Sequence, residues 1–196
     1  MVIIAPSVDN AMFYYNTSVL KFSNTELANI NVINQIGSIF GQQFFRFFCK
    51  DLSFKNILTI STILYSLNSA LKLLIIGDVI QALMTPIEFT YIISWLYTFI
   101  NAIHLMPIMI LACDMCPPEV EATFYSFILA LINVGYLLSY QIGGLLTYKL
   151  DIEDGHFQNL WALIVIASIY PVLNLPLMCC LLPSQSKMDQ QFAQFR

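Results

Sequence analysis

The stretch CDMCPPEVEATFYSF, residues 113–127, connects two long apolar runs through a short polar hinge. Pro117 and Pro118 lack the backbone N–H that would extend the preceding helix, but a proline fits the first turn of the next one. Glu119 and Glu121 place negative charge where the N-terminus of that next helix is partly positive. The residues that follow are almost all apolar or small. The stretch therefore predicts the end of one membrane helix and the beginning of another.

The composition of the whole chain indicates the same class of protein. Its 196 residues are 58% hydrophobic and 10% charged, with a mean hydropathy of +0.73, whereas soluble domains contain about 25% charged residues. A net charge of -4 argues against nucleic-acid binding, which needs a clustered basic surface. Residues 1–5 lack the basic region and cleavage site of a secretory signal, so we expect the chain to begin within a helix. An all-α, multi-pass integral membrane protein is predicted.

Six segments are long and apolar enough to be membrane helices, for which about 20 residues are needed to cross roughly 30 Å of hydrocarbon. The predicted spans are residues 2–20, 25–48, 55–76, 87–112, 120–148 and 157–182. The first is the least apolar, because Pro6, Asp9 and Asn10 interrupt it. Residues 1–183 are thus predicted to form a six-helix bundle, followed by a polar tail over residues 184–196.

The distribution of lysine and arginine predicts how these spans are oriented, since both residues favour the cytoplasmic side. If the hinge at residues 113–119 is cytoplasmic, five cations lie inside and two outside, with Lys72 within a span. The inner set is Arg46, Lys50, Lys55, Lys187 and Arg196, and the outer set is Lys21 and Lys149. This orientation leaves the C-terminus in the cytosol.

The string CPPEVEATFYSF, residues 116–127, also resembles a signature of the folate-biopterin transporter family, a branch of the major facilitator superfamily. In that family a Cys-Pro-Pro-x-x-Glu-Ala-Thr string opens the penultimate helix, and one departure here is Glu119, where glycine is usual. Further matches keep the family's order over nearly all of the chain. They are PS at residues 6–7, Asp9, AMFYY at 11–15, NLW at 159–161, LPL at 175–177 and LLP at 181–183.

The resemblance implies that the chain is the C-terminal six-helix half of a facilitator-type carrier. The implied cargo is a folate, a biopterin or a related pteridine, moved by alternating access. Six helices enclose half a pathway, so we expect a second half or a homodimer mate as partner. The hinge residues that carry the family motif are Cys116, Pro117, Pro118, Glu121, Ala122 and Thr123.

Two other functions stay open. The chain could be a truncated fragment or an assembly partner of a carrier that does not transport by itself, which its expected start within a helix favours. A membrane enzyme is the third choice, although the sequence contains no recognisable nucleophile and base, nucleotide-binding loop or metal cluster. We therefore predict no enzyme activity and no cofactor.

The cysteines agree with the predicted topology. All five fall at predicted cytoplasmic ends of spans, where thiols remain reduced: Cys49, Cys113, Cys116, Cys179 and Cys180. The pair Cys113 and Cys116 has the spacing of a redox or zinc motif, but the sequence offers no second pair and no nearby histidine. We expect neither a disulfide nor a metal.

Polar residues recur on one side of four predicted helices, at spacings of three and four. These polar stripes predict a shared cavity, although each member could instead form a hydrogen bond between helices. They are Asn31, Gln35, Ser38 and Gln42; Ser61, Tyr65, Ser69 and Lys72; Thr90, Ser94, Tyr97, Asn101 and His104; and Asn133, Tyr136 and Tyr140. Small residues also recur, at Gly37 and Gly41 and from Ala122 to Gly143, and predict close helix packing.

Ionisable residues narrow the choice of site. If the first span is one helix, Asp9 lies about 18 Å below its outer turn, near the middle of the bilayer. A carboxylate there costs at least about 2.5 kcal/mol on insertion scales, so we assign it a functional role, either proton exchange or acceptance of two pteridine N–H donors. A salt bridge or a contact with a helix end is the structural alternative. Lys72 is expected to extend to the outer interface.

His104 could titrate near neutral pH and take part in proton coupling, or it could be a hydrogen-bonded packing group. The candidate residues for cargo binding or coupling are Asp9, Tyr97, Asn101, His104, Asn133 and Tyr136.

Overall fold

The computed structural model describes residues 5–49, 52–77, 84–114, 121–153 and 156–176, and this part of the chain is helical almost throughout. The prediction of an all-α protein is confirmed. The helices are α1 (Asp9–Ser18), α2 (Asn24–Phe44), α3 (Phe54–Leu71), α4 (Leu73–Ile76), α5 (Pro86–Asp114), α6 (Glu121–Lys149) and α7 (Leu160–Leu173), and a π-helical turn over Phe45–Cys49 continues α2.

Within these ranges, three segments are long and apolar enough to cross a membrane. They are Phe54–Ile76, Pro86–Leu111 and Ala122–Lys149, and α7 is a shorter apolar helix. Large apolar side chains on the outside of the bundle are widely exposed, as Leu137 is at 63% and Leu173 at 69%. An exposed apolar surface of this kind suits contact with lipid rather than with water.

Helix α5 packs closely against α2 at two glycines. A Cβ atom built at Gly37 would lie 2.5 Å from Thr98 Oγ1, and one built at Gly41 would lie 2.5 Å from the carbonyl oxygen of Phe99. No larger side chain fits at either position without moving α5. The prediction that these small residues serve close packing is confirmed here.

Helix α7 forms the centre of the largest apolar core. Leu160, Leu163 and Ile164 are fully buried there and contact residues from α1, α4 and α5. Tyr15 of α1 packs edge to face on Phe157, just before α7, with ring centroids 5.4 Å apart. The core therefore fixes α1 against α7 and, through α3, holds α7 beside the polar side of the bundle.

The first predicted span, residues 2–20, is not one membrane-length helix in the described part of the chain. Helix α1 begins at Asp9, and residues 5–8, which we call the lead-in, are not helical. Pro6 cannot donate a backbone hydrogen bond. The Ser7 N–H instead donates to the Ser139 carbonyl at 3.1 Å, and the Ser139 hydroxyl donates to the Ala5 carbonyl. Non-helical backbone is tolerated at membrane depth where protein satisfies it in this way.

Gly143 makes the contact between the lead-in and α6 possible. A Cβ atom at this position would collide with the Ser7 backbone, whereas one at the neighbouring Gly144 would meet no atom within 4 Å. The absence of a side chain at residue 143 therefore lets the lead-in lie directly on α6. The expectation that Gly143 serves packing is confirmed.

Three other predicted segments differ from the structure in their bounds. The third span is interrupted at Lys72, whose N–H donates to the carbonyl oxygen of Ser69 at 3.2 Å. Ser69 lies three residues earlier in the chain, whereas the acceptor in an α-helix lies four residues earlier. The sixth begins as a helix at Leu160, and its predicted residues 177–182 lie outside the described chain, as does the tail 184–196. The second ends in the π-helical turn.

The family-motif hinge lies partly outside the described residues. Cys116, Pro117 and Pro118 belong to the part that the structure does not describe, while Glu121 begins α6 and Ala122 and Thr123 are exposed on its first turn. Of the predicted reduced cysteines, Cys49 is buried and Cys113 is exposed, and Cys116, Cys179 and Cys180 lie outside the described ranges.

Candidate functional site

The polar sides of several helices meet at one cavity of about 150 Å³. Its wall is formed by the lead-in and the first residue of α1, by α3 with the residue that follows it, and by α5, α6 and α7. The wall combines hydroxyl, amide, imidazole and charged groups with the apolar side chains of Leu105, Ile108 and Ile132. The fold therefore brings together polar groups from distant parts of the sequence. This agrees with the shared cavity that the polar stripes predicted for α3, α5 and α6, three of the four helices with such a stripe.

An ion pair lies in the cavity wall. Lys72 Nζ is 3.4 Å from Asp9 Oδ1, and the side chains are 15% and 45% exposed respectively. The Ser7 hydroxyl donates to Asp9 Oδ2 at 3.1 Å, so both carboxylate oxygens of Asp9 have a partner. The expectation that Lys72 extends to the outer interface is wrong, because its ammonium group points inward and lies 5.5 Å from the centre of the Tyr97 ring.

Aromatic rings cover the cavity beside this ion pair. The rings of Tyr65 and Tyr97 have centroids 5.4 Å apart, and their hydroxyl oxygens are 3.5 Å apart. Tyr136 and Tyr140 line the cavity from α6. Tyrosine provides a flat apolar ring and a hydrogen-bonding tip, which suits a planar molecule with polar edges.

His104 is held by a hydrogen bond to the neighbouring helix. Its Nδ1 is 2.8 Å from Ser61 Oγ, and Ser61 Oγ is also 3.1 Å from the carbonyl oxygen of Leu58, to which it donates. A hydroxyl group has one proton, so a Ser61 that donates to Leu58 must accept from the Nδ1–H of His104. In the neutral imidazole, Nε2 is then left as an acceptor.

The structure unites five of the six candidate residues. Asp9, Tyr97, Asn101, His104 and Tyr136 all line the cavity, whereas Asn133 does not and has an exposed side chain. The polar stripe of α2 contributes nothing to the cavity wall. Six other polar residues line the cavity that were not among the candidates. Four of them belong to the predicted polar stripes, namely Tyr65, Ser69, Lys72 and Tyr140, and the other two are Ser7 and Ser139.

Chemically, the arrangement offers ring faces, hydrogen-bond donors and acceptors, and one ion pair. Groups of these kinds can hold a polar planar molecule, and an ion pair can exchange a proton or a counter-ion. In the part of the chain that the structure describes, no three His, Cys, Asp or Glu side chains are grouped so that they could bind a metal ion.

Comparison with known proteins gives a family match over almost the whole chain. The model of the BT1 family matches residues 1–194. The folate-biopterin transporter of Synechocystis sp. is 31% identical over 172 residues, which are 87% of this chain and 35% of that protein. Folate transporter 1 of Plasmodium falciparum is 30% identical over 169 residues, 86% of this chain and 34% of that protein.

A plant relative is more distant. The probable folate-biopterin transporter 4 of Arabidopsis thaliana is 27% identical over 177 residues, 88% of this chain and 36% of that protein. The chain thus spans about a third of the length of these curated relatives. No solved structure is significantly similar to it.

Proposed function

Since the chain belongs to the BT1 family, a family of transporters rather than enzymes, we propose that it moves folate, biopterin or a related pteridine across a membrane. In this proposal it acts as the C-terminal six-helix half of a facilitator-type carrier and works by alternating access. The observation that supports it most is the cavity, in which polar residues from four helices, α1, α3, α5 and α6, meet inside a bundle with an apolar outer surface. The names of its relatives support the choice of cargo.

The cavity suits the ring end of such a cargo. An engineered cavity of similar volume in another protein admits a single benzene ring, so this half has room for one aromatic ring of the cargo but not for a complete folate. The faces of Tyr65 and Tyr97 would stack on the ring, while Asn101 and the Nε2 atom of His104 would meet its N–H and carbonyl groups. The remainder of a long cargo would extend toward a second half.

Asp9 has two proposed roles, proton exchange and acceptance of the pteridine's paired donors. Both of its carboxylate oxygens already have a partner, Lys72 on one and Ser7 on the other. A carboxylate bound to a cation changes its partner readily when it gains a proton, because protonation removes the charge that attracts the ammonium group. The geometry therefore favours proton exchange.

A partner is proposed because polar residues remain on the outside of the bundle. Asn31 and Gln35 of α2, and Asn133 and Gln141 of α6, are exposed. An unsatisfied polar group in hydrocarbon costs several kcal/mol, so in a bilayer these sides would be covered by protein, either a second half or a homodimer mate. The C-terminus is proposed to lie in the cytosol, as the lysine and arginine distribution indicates.

Uptake into vesicles tests the proposal. The chain is reconstituted, and the accumulation of unchanged labelled biopterin and folate is followed over time. We expect the homodimer to show saturable uptake, which Asn101→Ala and His104→Ala reduce at least about tenfold, as expected for lost hydrogen bonds in a dry site. Gln158→Ala, an exposed polar residue before α7, is the matched control and should leave uptake unchanged.

If the parent chain is inserted, folded and paired as a homodimer but accumulates nothing, the alternative function applies, in which the chain is a non-transporting fragment or an assembly partner. Chemical conversion of the labelled solute would indicate the membrane enzyme instead. Equal loss in Gln158→Ala and Asn101→Ala would refute the proposed site.

A further inference from the structure

We propose that Lys72 binds a carboxylate that the cargo carries on or next to its ring, and that Asp9 occupies this position while the cavity is empty. The inference rests on the proposed function for the pteridine nature of the cargo. It adds a charged subsite that neither the sequence patterns nor the names of the relatives assign.

The position of Lys72 carries the inference. It follows the last residue of α3, at the interruption before α4, and its side chain is 15% exposed with its ammonium group directed at the cavity. Among the described residues that line the cavity it is the only lysine or arginine. A membrane protein that places a lysine against its polar cavity meets a desolvation cost, and such residues mark binding or ion pathways by default.

The contact between Lys72 and Asp9 is loose. Their 3.4 Å separation exceeds the roughly 2.7–2.9 Å of a strong charge-assisted hydrogen bond. Asp9 is 45% exposed, and its carboxylate receives one further hydrogen bond, from the adjacent Ser7. The ammonium group has three donors, of which Asp9 takes one. A second carboxylate that enters the cavity can therefore approach Lys72 and displace Asp9.

Two neighbouring features favour an anion at the same point. The ring of Tyr97 lies 5.5 Å from the ammonium group and helps to stabilise the cation in a site with little water. Helix α1 begins at Asp9, so its partly positive N-terminus also faces this part of the wall and attracts an anion. The ring thus favours the ammonium group, and the helix N-terminus favours the carboxylate that binds it.

The charges must balance when the anion enters. In the empty cavity, Lys72⁺ and Asp9⁻ sum to zero. A bound carboxylate would bring a second negative charge to one ammonium group, and this repulsion disappears if the Asp9 carboxylate takes up one proton from the medium and becomes neutral. One proton therefore enters with each carboxylate group, and leaves again when Asp9 returns to Lys72.

Other titratable groups that face this point are few in the described chain. A tyrosine hydroxyl carries no charge at neutral pH, which leaves His104 as the other candidate for the proton. Its Nδ1 is hydrogen-bonded to Ser61, and it is not in contact with Lys72, so Asp9 is the group whose charge responds to the anion. The tyrosines that line the cavity beside His104 are Tyr65, Tyr97, Tyr136 and Tyr140.

Two pterins that differ in a single group test the inference. 6-Carboxypterin carries a carboxylate, and 6-hydroxymethylpterin has the same ring without the charge. Binding of each to the reconstituted chain is measured for the parent and for Lys72→Met, Lys72→Arg, Asp9→Asn and Lys149→Met. Lys149 is exposed at the end of α6 and is the matched control.

We expect Lys72→Met to weaken 6-carboxypterin binding at least about tenfold, the value of one charged hydrogen bond, and 6-hydroxymethylpterin binding less than about twofold. Lys72→Arg keeps the charge and should retain the preference, and Asp9→Asn should strengthen 6-carboxypterin binding and remove its dependence on pH. Lys149→Met should resemble the parent. Equal weakening of both pterins by Lys72→Met, or no change in either, would overturn the inference and leave a purely structural ion pair.

If the parent binds neither pterin and transports no pteridine, the proposed function fails. The same variants are then measured with benzoate and benzyl alcohol, which differ in the same way on a single ring. A loss confined to benzoate in Lys72→Met would support the anion site independently of the cargo's identity, and no difference between the two ligands would refute it.

Discussion

Adjacent glycines in α6 provide a sharp test of how the lead-in is held. An alanine at residue 143 would place its Cβ against the Ser7 backbone, with the Ser7 nitrogen and carbonyl carbon each 3.0 Å away. An alanine at residue 144 would meet nothing within 4 Å. Both substitutions gain the same helix propensity, up to about 1 kcal/mol, so this gain cancels when the two variants are compared.

The difference in stability between the variants therefore reports the collision alone. Overpacking of this kind typically costs about 1–3 kcal/mol. We expect Gly143→Ala to be less stable than Gly144→Ala by that amount, because the neighbour that must move is backbone rather than a flexible side chain. The lead-in also holds Ser7 and Asp9 in the cavity wall, so Gly143→Ala should weaken pterin binding as well.

Reversible unfolding in mixed micelles, followed by helical circular dichroism, measures the free energies of unfolding of the parent and both variants. Pterin binding is measured on the same samples. Equal free energies for the two variants would refute the close contact between residues 5–8 and α6. A stability loss in Gly143→Ala with unchanged pterin binding would separate the packing of the lead-in from the cavity and remove the lead-in from the site.

Three further predictions follow from other parts of the fold. Leu163→Ala removes a fully buried side chain and should lower the free energy of unfolding by about 2–5 kcal/mol. Leu137→Ala, at a position 63% exposed, should change the free energy of unfolding little in micelles. Similar losses in the two variants would contradict the core assigned to α7. In single-cysteine variants, a maleimide should modify the exposed Cys113 faster than Cys49. Burial raises the pKa of the Cys49 thiol, so less thiolate forms at neutral pH. Labelling of Cys49 should therefore accelerate only above the pH at which an exposed thiol reacts. Equal labelling rates of Cys49 and Cys113 at pH 7 would contradict the burial of Cys49. Lys21→Gly should raise thermal stability by the equivalent of about 1 kcal/mol, because Lys21 has a φ of 54°, which costs a lysine more than it costs glycine. A lower melting temperature would argue against this turn.

The three long apolar helices could be predicted from the sequence because hydropathy averaged over about 20 residues identifies a span without knowledge of its neighbours. The first span could not be predicted in the same way. Its helix begins only at Asp9, and the backbone before it is satisfied by Ser139, 134 residues away along the chain in the bond to Ala5. Such a long-range partner leaves no trace in a local average.

The polar stripes predicted most of the cavity wall but not its limits. On α6 the cavity side runs through Ile132, Tyr136 and Ser139, at helical spacings of four and three. Asn133 lies about 100° around the helix from Ile132, at the edge of this side, and its side chain is directed outward. A stripe built from polar residues alone includes Asn133 and omits Ile132, because the cavity wall is partly apolar.

The orientation of Lys72 also depends on tertiary structure. A lysine near the end of a span can extend toward the interface or turn inward, and only the position of a counter-charge decides between these. That counter-charge is supplied by Asp9, which is 63 residues distant along the chain.

The attachment of the lead-in to α6 has a mechanical consequence. Asp9 belongs to a segment that is hydrogen-bonded to α6 through Ser7 and Ser139, while Lys72 lies between α3 and α4. Any tilt of α6 away from α3 and α4 would move Asp9 with it and lengthen the distance between its carboxylate and the Lys72 ammonium group. Helix rocking and the release of a trapped counter-charge would then be two aspects of a single displacement.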